Sequence, residues 1–421
     1  MIKIIQLLII FLFAQQSFSQ WTLLNSGSGS NFKSIYFTSA STGYVCGSGG
    51  VIIKTTNGGV NWSSLSSGLG VDINSIYFYN ASTGLACANS GNIIITTNSG
   101  NSWNTVPSGV SANLFAISFF NNVNGVCTGT NGTLLFSTNG GLNWTVAVDG
   151  FITTYYSIHM VSASVAYAGG VNTIFQPLIA KTTNGGANWN YSVFYLNNNE
   201  GNIRGIHFLN ASSGFAVSNV WNGQGAISFT SNGGTNWTTQ LFANALNGID
   251  FSGGNTGYAV GYSGSVLKTT DGGVSWSPQT SGTSAVLRSV NFIDSLTGYA
   301  ASDGGVIIKT TNGGVTAFNN QNGNIPAEYR LNQNYPNPFN PVTRIGFELP
   351  VGATRRVALT VFDALGREIE TLVNRRLSPG TYEVDWDASN YPSGVYMYKL
   401  DVIDPSAPLR VRETKKMILI K

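Results

Sequence analysis

Charge is the scarcest property of this chain. Lysine, arginine, aspartate and glutamate together make up 9% of 421 residues, against roughly 25% in average soluble domains. The formal net charge is +3 and no basic run stands out, which argues against electrostatic capture of nucleic acid. Histidine is nearly missing too: with only His159 and His207, no zinc ligand set suggests itself and no cofactor is expected. Three cysteines, Cys46, Cys87 and Cys127, cannot all pair within one chain. Long apolar runs are also missing. The longest, Ile4 to Ala14, is broken by Gln6 and reaches about half of the roughly 20 residues a spanning helix needs. With Lys3 before it and Ser17-Phe18-Ser19 after it, residues 1–19 read as a secretory signal peptide cleaved between Ser19 and Gln20. No segment carries a sustained 3.6-residue apolar period, so the expected fold is all-β.

What the chain has in abundance is glycine, 51 residues, and a repeat built on it. Thr55-Thr56-Asn57-Gly58-Gly59-Val60-Asn61-Trp62 returns in variants that end at Trp103, Trp144, Trp189, Trp237 and Trp276, and a last copy ends at Phe318. Successive spacings are 41, 41, 45, 48, 39 and 42 residues, the length of a four-stranded antiparallel unit with its turns. In each copy the Asn can accept from amides ahead of it, Gly59 and its neighbour can take positive φ, and the Trp can cover the corner. Between these turns runs a constant pattern, Ser34-Ile35-Tyr36-Phe37, then Thr42-Gly43-Tyr44-Val45-Cys46, then Val51-Ile52-Ile53-Lys54. It predicts three short strands, with a fourth starting at each Trp. The cysteines fall in second strands, beside the position of Val217 and Val260, and read as small buried hydrophobes. Seven such units predict a seven-bladed propeller over residues 20–318. The seventh lacks its Trp, whereas Trp21 to Gly27 has the Trp-x5-Gly of a fourth strand with no turn before it. That segment is expected beside Val306 to Lys309, closing the ring.

The turn resembles the Asp-box, with Asn in place of Asp except at Asp271. The resemblance implies that it joins strands three and four on the face away from the usual binding site. Ile-x-Phe, Thr-Gly-Tyr-Ala-Val and Ser-Val-Leu-Lys-Thr-Thr-Asp-Gly-Gly ahead of Trp276 resemble the photosystem II stability and assembly factor family. That family often carries Arg just before Ile-x-Phe; here Lys33, Arg204 and Arg288 keep the charge, and Asn74, Ala116, Ser157 and Asn247 do not.

Texture changes near Glu328. Of 18 acidic residues 11 lie beyond 327, as do 13 of 21 basic ones. Residues 319–327 read as a linker. The opening Asn334-Tyr335-Pro336-Asn337-Pro338-Phe339-Asn340-Pro341 cannot be a central strand. Six alternating segments after it predict a small Ig-like β-sandwich over 328–421. Val361-Phe362-Asp363, Leu365-Gly366-Arg367, Val384-Asp385-Trp386-Asp387, Ser393-Gly394-Val395-Tyr396 and the closing Lys415-Lys416-Met417-Ile418-Leu419 resemble the type A sorting domain of type IX secretion cargo in Bacteroidota. This implies export to the outer surface or medium through the type IX machinery.

Residues 20–318 hold two arginines, Arg204 and Arg288, too few for a sialidase. Their acids, Asp72, Asp149, Glu200, Asp250, Asp271, Asp294 and Asp303, form no sequence-local pair. The variable residue of Ile-x-Phe, on the strand that lines a propeller channel, is Tyr36, Tyr77, Ser118, His159, His207, Asp250 and Asn291 in turn. These residues give either a solvated pore or a ligand or metal site centred on His159, His207 and Asp250. The expected function is a monomeric secreted or surface binding module for a protein or glycan, without catalysis, using the face that carries Lys33, Arg204 and Arg288. The alternative is an endoglucanase-like glycoside hydrolase, which needs two facing carboxyls.

Overall fold

The computed structural model describes residues 20–147, 153–193, 196, 200–314, 326–350, 355–377, 379–388, 391–403 and 410–420. The expected signal peptide with Ser19, most of the linker, Asp149, Phe318 and Lys421 lie outside these. Seven four-stranded antiparallel sheets follow one another as blades. Their first strands are Phe32–Phe37, Ile73–Phe78, Leu114–Phe119, Thr154–Met160, Gly201–Phe208, Leu246–Phe251 and Leu287–Phe292. Each touches the next, and that of blade 7 touches that of blade 1.

Second strands such as Gly43–Gly47 are buried along their whole length, because both faces pack on neighbouring blades. Small residues are needed there: a Cβ on Gly43 would lie 2.5 Å from the Phe37 ring. Cys46, Cys87 and Cys127 occupy such strands, buried and unpaired, and burial pushes the Cys46 and Cys127 thiols well up.

Blade 7 takes its fourth strand from the start of the described chain. Thr22–Leu24 pairs with Ile307–Lys309, Thr22 opposite Lys309. Trp21 is fully buried, edge-on to Phe292 at 5.7 Å, as Trp62 is to Phe37 at 6.1 Å. In blades 4 and 5 the indole donates to the carbonyl of its own turn, Trp189 to Gly186 and Trp237 to Gly234. Blade 7 is cut between turn and Trp, and Gln279 bridges the cut: its Oε1 accepts from Trp21 Nε1 at 3.1 Å and its Nε2 donates to the Gly314 carbonyl at 2.7 Å.

The C-terminal region forms a three-stranded sheet, Arg330–Leu331, Val342–Leu349 and Gly380–Asp387 in that order, and a four-stranded sheet ordered Glu368–Leu377, Arg355–Asp363, Gly394–Ile403, Arg410–Leu419. Phe347, Leu359, Trp386, Tyr398 and Met417 lie in the core between them. The Asn-Pro opening is held by buried polar bonds, with Asn334 N–H donating to Tyr398 Oη and Asn334 Nδ2 to Thr343 Oγ1, both 2.8 Å. The opening and the residue before it also tie to the last strand, since Gln333 Nε2 donates to the Lys416 carbonyl at 2.8 Å and Ile418 N–H to Asn337 Oδ1 at 2.9 Å. Lys415 and Lys416 both belong to that strand. The sequence reading omitted the short strand Arg330–Leu331. Among the described residues no helix is long and apolar enough to cross a membrane.

Candidate binding face

Every first strand carries a β-bulge at the same place. Register breaks between Phe32 and Ser34, Ile73 and Ser75, Leu114 and Ala116, Tyr155 and Ser157, Ile203 and Gly205, Leu246 and Gly248, and Leu287 and Ser289. The extra residue is Lys33, Asn74, Phe115, Tyr156, Arg204, Asn247 or Arg288 in turn. This corrects the register read from sequence: Ala116 and Ser157 are equivalent to Ser34, while Phe115 and Tyr156 share the ring with Lys33. The signal was available, because Phe32, Leu114 and Tyr155 align as the buried residue before each bulge. A bulge bends the strand and re-aims one side chain. Seven in register give a ring of re-aimed residues beside the loops that enter strand one.

That ring is chemically uneven. Phe115 and Tyr156 rings lie 5.3 Å apart, and the Arg204 guanidinium sits 3.9 Å over Tyr156. Arg204 Nε donates to Asn202 Oδ1 at 2.6 Å; among the described residues it has no carboxylate partner. Burial lowers its pKa, and the neighbouring Arg288 adds to that against the opposing effect of Tyr156 and Tyr262. Arg288 is different: burial would lower its pKa, but a two-pronged pair with Asp303, closest approach 2.6 Å, raises it. Lys33 is half-buried with no ion pair among the described residues. Asn74 and Asn247 donate across to the next blade, to the carbonyls of Leu114 at 2.7 Å and Leu287 at 2.8 Å.

Three residues further along each strand lies the channel belt. His159 Nδ1 accepts from Phe208 N–H at 2.7 Å, Asp250 Oδ2 from Phe292 N–H at 2.7 Å, and Asn291 Oδ1 from Phe37 N–H at 2.8 Å. Ser118 Oγ accepts from Met160 N–H at 3.0 Å. His207 meets Asp250 at 3.3 Å, and the two imidazoles stand 4.8 Å apart. Burial and the facing His207 push His159 down to about 3, which keeps it a neutral acceptor. These side chains stitch one blade to the next. Among the described residues no group of three or more His, Cys, Asp or Glu is placed to hold a metal.

The opposite face carries the turns. Asn57 Oδ1 accepts from Asn61 N–H at 2.9 Å, and the hub is Thr55, whose Oγ1 accepts from Gly59 N–H at 2.9 Å and donates to Asn57 Oδ1 at 3.0 Å. The same bonds recur around Thr96, Ser137, Thr182, Thr230 and Thr269. Sequence reasoning assigned the Asn, Gly and Trp and missed this hydroxyl. It also missed an interlock between blades: Tyr299 Oη and Lys309 Nζ of blade 7 donate to the Gly58 carbonyl of blade 1 at 3.1 and 2.8 Å. Tyr44 with Lys54 does the same to Ser99, and Tyr167 with Lys181 to Gly233. Thus most of the propeller's few lysines are used in holding turns.

The loop read as the longest, Asn190 to Arg204, is shorter than expected, because Asn190–Val193 and Gly201–Phe208 are strands. Asn197, Asn198 and Asn199 lie outside the described residues.

The family model described as Photosynthesis system II assembly factor YCF48 matches residues 13–109 and 95–245, together more than half of the chain. That described as Secretion system C-terminal sorting domain matches residues 333–406. No curated protein matches. Among solved structures, YCF48 bound to D1 peptide is similar with a TM-score of 0.58 and 17% identity, covering 70% of this chain and 96% of that one. YCF48 from Cyanidioschyzon merolae gives 0.57 and 15%, covering 69% and 98%. The WD40 β-propeller domain of Doa1 gives 0.57 and 13%, covering 69% and 97%, so structural likeness at this level speaks for the fold alone. A sorting domain of this class indicates type IX secretion to the cell surface or extracellular space. The seven closed blades and the family match together place this chain in the YCF48 family of photosynthesis system II assembly factor propellers, here joined to a type IX sorting domain.

Proposed function

We propose that the chain is an exported binding module that takes a polypeptide segment on its bulge face. The observation that carries this reading is the set of seven in-register bulges, which aim Lys33, Arg204 and the Phe115–Tyr156 pair at one level of one face. Bulges that re-aim side chains are common beside binding and active sites. Arg204, stacked on an aromatic and lacking a carboxylate partner among the described residues, suits a carboxylate or an acidic side chain. A similar propeller is known bound to a peptide, which supports a polypeptide over a glycan.

The hydrolase reading gains no support from Asp72, Asp250, Asp271, Asp294 or Asp303. Asp250 makes the bond to the next blade that Asn291 makes elsewhere. Asp72 caps Gly49 as Asn113 caps Ser90 and Asn31 caps Gly304. Asp294 holds its turn as Asn80, Asn121 and Asn210 hold theirs, and Asp271 stands where the other turns have Asn. A carboxylate interchangeable with an amide is serving as a hydrogen-bond acceptor. Asp303 is paired with Arg288.

The test is a screen of extracellular proteins and glycans against the purified chain, followed by two variants. Replacing Lys33, Arg204 and Arg288 by Ala is expected to weaken the ligand found by tenfold or more. Replacing the exposed turn-face residues Val60, Leu142 and Val274 by Ser is expected to leave it unchanged. Loss only in the second variant would put the working surface on the turn face.

A further inference from the structure

Blades 4 and 5 differ from the others beside the bulge ring. In blades 1, 6 and 7 strands two and three are joined by three-residue turns, Ser48–Gly50, Tyr262–Gly264 and Asp303–Gly305. In blades 4 and 5 these strands lengthen, to Ala166–Val171 with Pro177–Thr182 and Gly214–Val220 with Gly225–Thr230. Their tips carry Ile174, Phe175 and Trp221, exposed by 63%, 53% and 59%. The two rings meet edge to face, 5.0 Å apart at 71°.

Phe175 is held at φ +64°, a region that bulky residues rarely enter. Asn172 holds it there: its Oδ1 accepts from Ile174 N–H at 3.1 Å and Gln176 N–H at 2.9 Å, and its carbonyl accepts from Phe175 N–H at 3.1 Å. Glycine would suit that backbone better, and the blade 5 tip has Gly223 at φ +88° in the matching place. An observed backbone outlier that presents an apolar side chain to solvent points to a function.

Both tips are anchored to the start of blade 5. Gly201 N–H donates to the Phe175 carbonyl at 3.3 Å and Trp221 N–H to the Glu200 carbonyl at 3.1 Å. Arg204 follows three residues after Gly201, roughly 10 Å along the strand at about 3.3 Å per residue.

We propose that Ile174, Phe175 and Trp221 form an apolar anchor point for an extended acidic polypeptide, one of whose apolar side chains packs on the Phe175–Trp221 pair while a carboxylate reaches Arg204. This rests on the polypeptide-binding reading above and adds a second contact point with a defined spacing. A glycan fits less well. Ile174 offers no flat ring, and the edge-to-face pair presents no coplanar platform for a sugar. An extended chain with an apolar residue and an acidic residue three positions apart covers the roughly 10 Å of strand between Gly201, which holds the Phe175 tip, and Arg204, and it matches the charge.

The test uses the full chain and a fluorescein-labelled peptide, acetyl-Gly-Leu-Gly-Gly-Glu-Gly, followed by anisotropy. Replacing the peptide's leucine by alanine, or Trp221→Ala in the protein, is expected to weaken binding about tenfold, as for a central aromatic contact. Arg204→Gln is expected to weaken it and to flatten its salt dependence. Phe175→Gly separates anchor from scaffold: binding should fall about tenfold while the thermal midpoint holds or rises. A fall in midpoint would make Phe175 structural and overturn the proposal, as would absence of binding by the wild-type chain. Displacement of the peptide by cellohexaose would reassign the surface to glycans. Self-association abolished by Trp221→Ala would give it to a second copy. Arg204-dependent binding that ignores the leucine would sink the anchor while leaving the polypeptide-binding face in place.

Discussion

The two faces of the propeller rest on equally regular backbone and differ in what hangs from it. On the turn face, the same hydroxyl, amide and glycines recur from blade to blade, and Tyr and Lys of one blade donate to the turn carbonyl of the next. On the bulge face the backbone irregularity recurs seven times, yet the residue it displays is Lys, Asn, Phe, Tyr, Arg, Asn and Arg in turn. Repetition of a side chain marks a requirement every blade shares, which is folding. A repeated backbone device carrying a varied side chain marks a scaffold freed to specialise. The comparison predicts that changes to the turn hydroxyls cost stability and that changes at Lys33, Arg204 and the Phe115–Tyr156 pair cost binding, whereas Asn74 and Asn247, which bond to the next blade, side with the turns.

The largest effect is expected at the cut in the ring. Trp21→Ala removes a fully buried indole from between Phe292 and Tyr258 and leaves Gln279 half-partnered, at about 3–5 kcal/mol. Urea denaturation should show that loss, and deletion of residues 20–27 should expose the free edge of Ile307–Thr310 and promote association. If Trp21→Ala melts like wild type, closure does not depend on this segment.

Next comes the turn hub. Thr182 is buried, and its Oγ1 accepts from Gly186 N–H at 3.0 Å and donates to Asn184 Oδ1 at 2.9 Å. Thr182→Ala strands a buried amide, about 1–3 kcal/mol, and Thr182→Ser should recover most of it. Equal loss in the Ala and Ser variants would mean that the methyl group, not the hydroxyl, is what the turn requires.

Repeat length, the Asn, glycines and Trp of the turn, and the displaced Trp21 strand were legible because each rests on local rules: glycine at positive φ, alternation, a motif missing from one end and present at the other; the hub hydroxyl of Thr55 was not. The sandwich was legible apart from Arg330–Leu331, which is only two residues long and has no pattern to read. The candidate face was half legible. Lys33, Arg204 and Arg288 were singled out, but the bulge was not, because an extra residue breaks the alternation by which strands are read. That slip placed Ala116 and Ser157 where Phe115 and Tyr156 belong and hid the aromatic half of the face. Phe175 and Trp221 carried no sequence signal, since their meeting depends on two hairpins brought side by side by the ring.

The smallest effect is expected where the comparison is most exposed. Lys33 sits on a bulge, half-buried, with no ion pair among the described residues, whereas Arg204 has its stack on Tyr156 and Arg288 its pair with Asp303. Truncating either arginine therefore mixes lost packing with lost charge. Lys33→Ala does not, and as a surface change away from any network it should shift stability by less than about 0.5 kcal/mol. Its effect should instead fall on association: a slower on-rate for an acidic peptide at low salt, converging on wild type as salt rises and screening shortens the reach of the charge. Measured by stopped flow across ionic strength, with urea denaturation alongside, the variant separates the two faces cleanly. A loss above 1 kcal/mol with unchanged association would make the bulge ring as structural as the turns, and the contrast between the faces would collapse.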